Sequence, residues 1–163
     1  MPEFRAFTTQ DLALLVEYLN DAQLTQFLSA RIPQPYTPEA AKWWIETGSK
    51  TGFVYAIVFQ GVLVGCISAL PGEFEKQRSA ELGYWIARRY WGQGIATAAL
   101  QKFTRLMFDS TDIERLYAAV FDGNTASEQV LKKCGYQRDA VLHKAIFKHG
   151  SFYHELHYSC VRR

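Results

Sequence analysis

The sequence predicts an α/β (α+β) fold, in which helices flank one mixed, mostly antiparallel sheet. Two hairpin patterns carry this prediction. Residues 53–59 and 62–70 are β-branched and aromatic runs separated by only two residues, and residues 141–148 and 151–161 repeat the arrangement near the end of the chain. A third observation is a pair of glycines, at 92 and 94, between a strand-like run and a segment with helical apolar spacing. Hairpins need antiparallel neighbours, and the strand–loop–helix unit adds a helical layer.

Length and composition limit the classes of protein that this chain can belong to. Its 163 residues correspond to one domain of ordinary size, so a single domain over 1–163 is expected. The 18 Lys and Arg against 16 Asp and Glu leave a net charge of +2, too small for a dedicated nucleic-acid binder. The apolar runs are too short to span a membrane, and the charged N-terminus lacks secretory features. We expect a cytoplasmic location, with no nucleic acid or membrane as partner.

The cysteines and histidines do not form a recognisable metal or disulfide pattern. Cys66, Cys134 and Cys160 are odd in number and lack Cys-x-x-Cys spacing, which favours reduced thiols. His154 and His157 are three apart in a predicted strand and would point to opposite faces. No metal site is expected.

The N-terminal third predicts one strand followed by helices. Phe4–Phe7 alternates as a strand, and the polar residues after it can cap a helix. A second, short helix is predicted around Ala22–Leu28. A third begins at Thr37, the expected N-cap, because Pro38 is tolerated at the first helical position, and Gly48 is expected to end it.

The remaining elements follow in an order that completes the sheet. A strand at Ser79–Ile86 leads through the glycine loop into a helix from Ile95. A strand at Ile113–Phe121 and a helix to Lys133, stopped by Gly135, precede the second hairpin. The predicted order is β-α-α-β-β-β-α-β-α-β-β, without repeats or linkers.

The glycine loop predicts an anion site. Gly92 and Gly94 allow a tight turn and close approach of backbone N–H groups at a helix start, where a phosphate is favoured. Arg88 and Arg89 add positive charge nearby. An ordinary strand-to-helix turn is one alternative. A nucleotide-binding oxidoreductase is another, disfavoured because Thr97 stands where the dinucleotide fingerprint requires a small residue.

Several motifs together resemble one family. The run 89–96, Arg-Tyr-Trp-Gly-Gln-Gly-Ile-Ala, resembles the pyrophosphate loop of the GNAT acetyltransferases. Glu81–Ile86 and 124–136 are similar to further motifs of that family in order and spacing. The run 37–45 and the closing Lys-His-Gly at 148–150 resemble its branch of ribosomal-protein alanine/serine N-acetyltransferases (RimJ/RimL). The resemblance covers nearly the whole chain.

This resemblance implies a cofactor and a reaction. It implies that acetyl-CoA is the co-substrate and that its acetyl group passes by direct attack to a primary amine, either a protein N-terminal α-amine or a small amine. The strand at 84–86 would lie along the pantetheine arm, with the N–H of Ile86 facing the thioester carbonyl, while Asn124 and Ser127 would lie beside the pantetheine and the sulfur. The residues assigned to acetyl-CoA are Tyr84, Trp85, Ile86, Arg89, Gly92, Gln93, Gly94, Ile95, Ala96, Thr97, Asn124 and Ser127.

Three residues are candidates for proton transfer. Glu81 begins the strand that should carry the thioester and could accept the amine's proton through water; the alternative is a solvated strand-end carboxylate. Ser127 could protonate the departing sulfur, or simply start a helix. Tyr136 is the third candidate, with a core aromatic as its alternative.

The sequence departs from the ribosomal-protein branch at two positions: Ile146 stands where a Glu is expected, and His154 where an Asp is usual. These departures keep open a second function, a non-catalytic acyl-CoA-binding sensor or scaffold. A homodimer could form through the edge of the C-terminal hairpin. The acceptor site is expected to use some of Phe27, Arg31, Tyr36, Trp43, Trp44, Phe74 and Tyr153.

Overall fold

The structure, a computed structural model, describes residues 1–163. It contains seven strands and five α-helices, with short 3-10 turns between some of them. None of the helices is long and apolar enough to cross a membrane. The elements are β1 (Glu3–Arg5), α1 (Leu12–Leu19), α2 (Ala22–Thr25), α3 (Pro38–Glu46), β2 (Phe53–Phe59), β3 (Val62–Pro71), β4 (Ser79–Ile86), α4 (Ile95–Ser110), β5 (Arg115–Phe121), α5 (Thr125–Lys133), β6 (Gln137–Lys148) and β7 (Ser151–Val161).

The strands follow the order β1-β2-β3-β4-β5-β7-β6. β1 pairs antiparallel with β2, and β7 pairs antiparallel with both β5 and β6. The parallel pairing is that of β4 with β5, in which Ser79–Glu81 faces Arg115–Tyr117. The predicted mixed, mostly antiparallel sheet flanked by helices is confirmed.

Several boundaries differ from the sequence prediction. β1 covers Glu3–Arg5 rather than 4–7, and β5 begins at Arg115 rather than at Ile113. The three helices predicted before β2 are present, although the predicted element order counted only two, and α2 ends at Thr25 rather than at Leu28. β6 begins at Gln137 rather than at Val141. Its first residues are polar and poor strand formers, but Gln137 and Arg138 pair with Ser159 and Tyr158 of β7, and this pairing overrides local preference.

Contacts divide the chain into two compact units. Unit 1 is Met1–Ser68 with Tyr84–Ala99, and unit 2 is Ala69–Gly83 with Leu100–Arg163. The single domain over 1–163 stays a prediction.

The core of unit 1 gathers apolar side chains from α1, α3, β2 and β3. Helix α3 begins as predicted, because the Thr37 hydroxyl accepts a hydrogen bond from the N–H of Ala40 at 3.1 Å. Trp44 packs edge-on against Phe7, with ring centroids 5.9 Å apart, whereas Trp43 is 59% exposed. The buried core residues include Leu15, Tyr18, Leu19, Ala41, Ile45, Ala56 and Leu63.

Unit 2 shows the period-two alternation of a sheet with one buried face. Leu116, Ala118 and Val120 of β5 are buried, as are Leu156 and Tyr158 of β7. The residues between them are half-buried or exposed. Because alternate side chains point to opposite faces, the second face of β5 and β7 carries the polar groups.

Candidate functional site

The glycine loop connects β4 to α4 in unit 1. Its backbone takes left-handed conformations at Gly92 (φ 72°) and Gly94 (φ 75°), which disfavour any other residue. A Cβ added at either glycine would meet no atom within 4 Å. The indole N–H of Trp91 donates to the carbonyl of Ile86 at 2.7 Å and fixes where the loop leaves the strand. The loop therefore has a defined shape and open space beside both glycines.

Helix α4 begins directly after this loop. It is 16 residues long, and its first intrahelical backbone bond runs from the N–H of Ala98 to the carbonyl of Gly94 at 3.0 Å. The N–H groups of a first helical turn have no intrahelical acceptor and lie at the positive end of the helix dipole. Open space next to such N–H groups fits a phosphate or pyrophosphate, so the cradle predicted from the sequence suits this ligand.

The end of β4 approaches β3 closely. A Cβ at Gly65 would lie 2.2 Å from the carbonyl oxygen of Trp85, so this position of β3 admits no side chain without a backbone shift. Two residues after Trp85, the N–H of Ala87 donates to the carbonyl of Val64 at 2.8 Å. The Trp85 ring meets that of Tyr18 edge-on at 6.3 Å. β3 and α1 thus hold the strand that is predicted to carry the pantetheine arm.

The two arginines before the glycines are already paired with carboxylates. Arg88 donates to Asp21 at 2.6 Å, which lowers the pKa of that carboxyl group. Arg89 forms an ion pair with Glu17 and lies over the ring of Tyr18, 5.2 Å from its centroid. With Ala87, these residues line a cleft of about 480 Å³.

No sequence pattern predicted this cleft. Asp21 lies 67 residues from Arg88 in the chain, and no local pattern links the two. The Arg89 side chain, predicted to face the cofactor, is held by Glu17. The backbone N–H groups of the loop are therefore the better-placed donors for a phosphate.

In unit 2, Glu81 lies on the exposed face of the sheet. It is paired in register with Tyr117 of β5. Burial raises the pKa of the Tyr117 hydroxyl, and the charge of Glu81 acts in the same direction. The guanidinium of Arg115 lies 5.0 Å from the centroid of the Tyr117 ring. Glu81 is thus accessible and close to an aromatic hydroxyl.

Asn124 and Ser127 lie together at the start of α5. The Asn124 side chain caps the helix by accepting a hydrogen bond from the N–H of Ser127 at 3.3 Å, and both residues are half-buried. The Tyr158 hydroxyl of β7 donates to Glu128 at 2.6 Å and ties this turn to the sheet. Burial and the hydrogen bond to Glu128 raise the pKa of Tyr158 to about 12. Tyr158 thus anchors the first turn of α5 to β7, through a long-range contact that no local sequence pattern predicts.

Tyr136 lies in the core. It is 2% exposed, and its hydroxyl is 2.8 Å from that of Thr104, which is also buried. A hydroxyl already paired inside the core does not reach a substrate. The candidate role of Tyr136 in proton transfer is therefore corrected to a packing role, which leaves Glu81 and Ser127.

The residues predicted to line the acceptor site have different environments. Tyr36 is 6% exposed and belongs to the core of unit 1, so it is not among the members of this set that are open to solvent. Phe74 is 79% exposed. Tyr153 is half-buried and packs against Phe121, with ring centroids 5.5 Å apart. Phe27 is half-buried, and Arg31 is exposed.

Comparison with known proteins identifies relatives of this chain. It is 28% identical over 121 residues to the Bacillus subtilis (strain 168) protein YdaF, whose name assigns it provisionally to the ribosomal N-acetyltransferases, and the match covers 74% of this chain and 66% of YdaF. It is 34% identical over 88 residues to the N-acetyltransferase YoaA of the same organism, across 54% of this chain and 50% of YoaA. The chain thus spans less than two thirds of the length of these curated relatives.

Solved structures have the same fold. The structure of RimL, described as a ribosomal L7/L12 alpha-N-protein acetyltransferase in complex with coenzyme A, superimposes with a TM-score of 0.87 at 24% identity and covers 98% of this chain and 93% of its own. The model of the acetyltransferase (GNAT) domain matches residues 3–137. Since this match spans most of the chain, including β4, the glycine loop and α4, the protein belongs to the GNAT acetyltransferase family.

Proposed function

We propose that the protein is an acetyl-CoA-dependent N-acetyltransferase, which moves an acetyl group to a primary amine by direct attack. The observation that carries the proposal is the glycine loop at the start of α4. Gly92 and Gly94 adopt left-handed conformations beside open space, at a helix start that favours a pyrophosphate. Because the chain belongs to the GNAT family, acetyl-CoA is the pyrophosphate-bearing ligand that we assign to this loop.

The proposal assigns each part of the cofactor to residues named by the family resemblance. The N–H groups of 92–97 are assigned to the pyrophosphate, and the backbone of Tyr84–Ile86 to the pantetheine amides. Asn124 and Ser127, at the start of α5, are assigned to the pantetheine and the sulfur. Acetyl-CoA is a co-substrate here and supplies the thioester.

The reaction needs little covalent participation by the protein. A neutral amine attacks the thioester carbonyl carbon, negative charge develops on the oxygen, the carbon–sulfur bond breaks, and the thiolate takes up a proton. Glu81 is exposed and suited to accept a proton through water. The Ser127 hydroxyl is the candidate donor to the sulfur. Positioning is therefore the main contribution expected from this fold.

For the acceptor, we propose that a protein N-terminal α-amine is preferred over a lysine side chain. An α-amine titrates near 7.7–8.0, so a useful fraction is neutral at pH 7, whereas a lysine amine near 10.4 needs a strong base. The relatives support this choice, because YdaF is named for ribosomal N-acetylation and RimL for an alpha-N-protein substrate.

The decisive experiment is a thermal-shift titration of wild type and Gly92→Glu with acetyl-CoA, CoA, NAD and ATP. The new carboxylate would occupy the phosphate position with bulk and like charge. Gly61→Glu is the matched control, because Gly61 also has a positive φ (78°) with no atom within 4 Å of an added Cβ, but it lies in the β2–β3 turn. We expect acetyl-CoA to stabilise wild type and Gly61→Glu, and to leave Gly92→Glu unshifted.

The outcomes separate the alternatives. Equal shifts for wild type and Gly92→Glu would remove the loop from the cofactor site. Preference for NAD over acetyl-CoA would instead support a dinucleotide enzyme. If acetyl-CoA binds but no CoA is released with peptides starting in Ser or Ala or with small amines, the acyl-CoA sensor becomes the better account.

A further inference from the structure

The face of the sheet that carries Glu81 also carries a histidine–carboxylate pair in unit 2. Glu81 is in register with Tyr117, and Tyr117 is in register with Ser159 of β7. Residues in register on neighbouring strands share a face, and so do alternate residues of one strand. Glu155 and His157 therefore lie on the same face as Glu81.

Glu155 and His157 form a close pair. Nε2 of His157 is 2.5 Å from Oε1 of Glu155, and the two side chains are 28% (His157) and 24% (Glu155) exposed. Because Nε2 faces the carboxylate, we assign the ring proton to Nε2, which leaves the lone pair on Nδ1. A carboxylate that fixes the tautomer and orients the ring is the usual support of a basic imidazole.

The neighbours of His157 leave room beside its ring. It is in register with Ala119 of β5 on one side and with Ala140 of β6 on the other. Two alanines add little side-chain bulk, and Ala119 is itself exposed. Since β5 separates β4 from β7, Glu81 and His157 lie on strands about 10 Å apart, with Tyr117 and Ala119 of β5 between them on the same face.

Several other charged side chains lie on this face, and three of them contact neighbouring residues. Asp139 of β6 accepts hydrogen bonds from Ser159 at 2.5 Å and from Arg115 of β5 at 2.7 Å. These bonds lower the pKa of Asp139, and the charge of His157 acts in the same direction. Lys148 lies over the ring of Phe121, 5.7 Å from its centroid. Asp139, Arg115, Lys148 and Glu81 are thus the charged groups around the pair from β4, β5 and β6.

We propose that His157, oriented by Glu155, is the base that deprotonates the acceptor amine; this inference rests on the proposed acetyltransferase function. An amine arrives largely as an ammonium ion and loses two protons on its way to an amide. Nδ1 of His157 takes the first proton and passes it to solvent. The neutral nitrogen then forms its bond to the acetyl carbon, the carbon–sulfur bond breaks with its electron pair on sulfur, and the second proton leaves the nitrogen through water as the thiolate is protonated.

An imidazole suits this step better than an isolated carboxylate. Free imidazole titrates near 6.5, closer to an α-amine than a carboxylate is, so the transfer is less unfavourable at neutral pH. The negative charge of Glu155 stabilises the imidazolium that forms and attracts the incoming ammonium ion. Glu81, on the same face but on the far side of β5, is the candidate acceptor of the second proton through water.

The test compares His157→Gln and Glu155→Gln with wild type and a control, His143→Gln. His143 is an exposed histidine of β6 that packs edge-on against His154 and lies outside the pair. CoA release from acetyl-CoA is followed with a thiol reagent, using peptides that begin with Ser or Ala, from pH 5.5 to 9. Acetyl-CoA binding is measured separately by thermal shift.

We expect His157→Gln to lower kcat about 10²-fold, the usual contribution of a positioned base, with unchanged acetyl-CoA binding and loss of the acid limb of the pH profile. Glu155→Gln should lower kcat by a smaller factor than His157→Gln, because the imidazole remains but loses the carboxylate that orients its ring. His143→Gln should behave as wild type. If His157→Gln does not fold, the kcat of Glu155→Gln decides.

Two results would overturn the inference in different ways. If wild type acetylates a peptide and both variants keep its kcat and pH profile, the pair is structural, and the proposed function stands without it. If wild type binds acetyl-CoA but none of the amines tested causes CoA release, both the proposed function and the role of His157 as a base are refuted.

Discussion

Replacing Tyr136 by Phe removes one hydroxyl from a buried pair and tests whether this residue serves stability or catalysis. The Tyr136 and Thr104 hydroxyls are 2.8 Å apart, and both residues are at least 90% buried. The substitution leaves the Thr104 hydroxyl without this partner in the core, which costs about 1–3 kcal/mol. For a chain of 163 residues, each kcal/mol moves Tm by about 2–4 °C, so a cost of about 2 kcal/mol lowers Tm by about 4–8 °C.

The assay is thermal unfolding together with the rate of CoA release. We expect a lower Tm with kcat within about twofold of wild type, because the hydroxyl does not reach substrate. Thr104→Val should destabilise similarly, and the double variant should recover part of the loss, since neither polar partner then remains. An unchanged Tm with a kcat at least tenfold lower would refute this reasoning and return Tyr136 to the candidate proton donors.

Two further predictions concern unit 1. Asp11 is 2% exposed and receives two hydrogen bonds from Arg5, at 2.7 and 2.8 Å; burial alone would raise the pKa of its carboxyl group, but Arg5 and the N–H of Thr8 lower it overall. Because the folded pKa lies below the unfolded one, this stabilisation is present above about pH 4 and is lost as the pH falls further. Asp11→Asn should therefore lower the free energy of unfolding at pH 7 by about 1.5–3 kcal/mol and make that free energy fall less steeply in acid, as measured by urea unfolding. Equal acid sensitivity of the variant and wild type would contradict this. Gly65→Ala should cost about 1–3 kcal/mol and weaken acetyl-CoA binding, because its Cβ meets the Trp85 carbonyl at 2.2 Å and displaces the predicted pantetheine strand; calorimetry showing wild-type affinity would contradict the second part.

Patterns within the chain predicted elements wherever local preference and tertiary packing agree. The hairpin turn at Gln60-Gly61, the cap at Thr37 with Pro38 after it, and the helix start at Ile95 appear in the structure as predicted. Each depends on residues within a few positions of one another. The start of β6 was misplaced because its polar first residues become a strand only by pairing with β7.

The same difference between local patterns and long-range contacts applies to the candidate site. Gly92 and Gly94 were recognisable because their role is a backbone conformation that few other residues adopt. The pairing of Arg88 with Asp21 and the burial of the Tyr136 hydroxyl against Thr104 were not recognisable, since they join residues 67 and 32 positions apart.

Motifs, turns and caps act over short stretches of chain, so local patterns were enough to predict the family, the order of most elements and the glycine loop. Which side chains face one another across strands became visible only in the folded sheet. The tertiary structure removed Tyr136 from the candidate proton donors and brought Glu155 and His157 onto the face that carries Glu81. Strand register is set by packing between distant segments, and a single residue's slip would place each of these side chains on the other face.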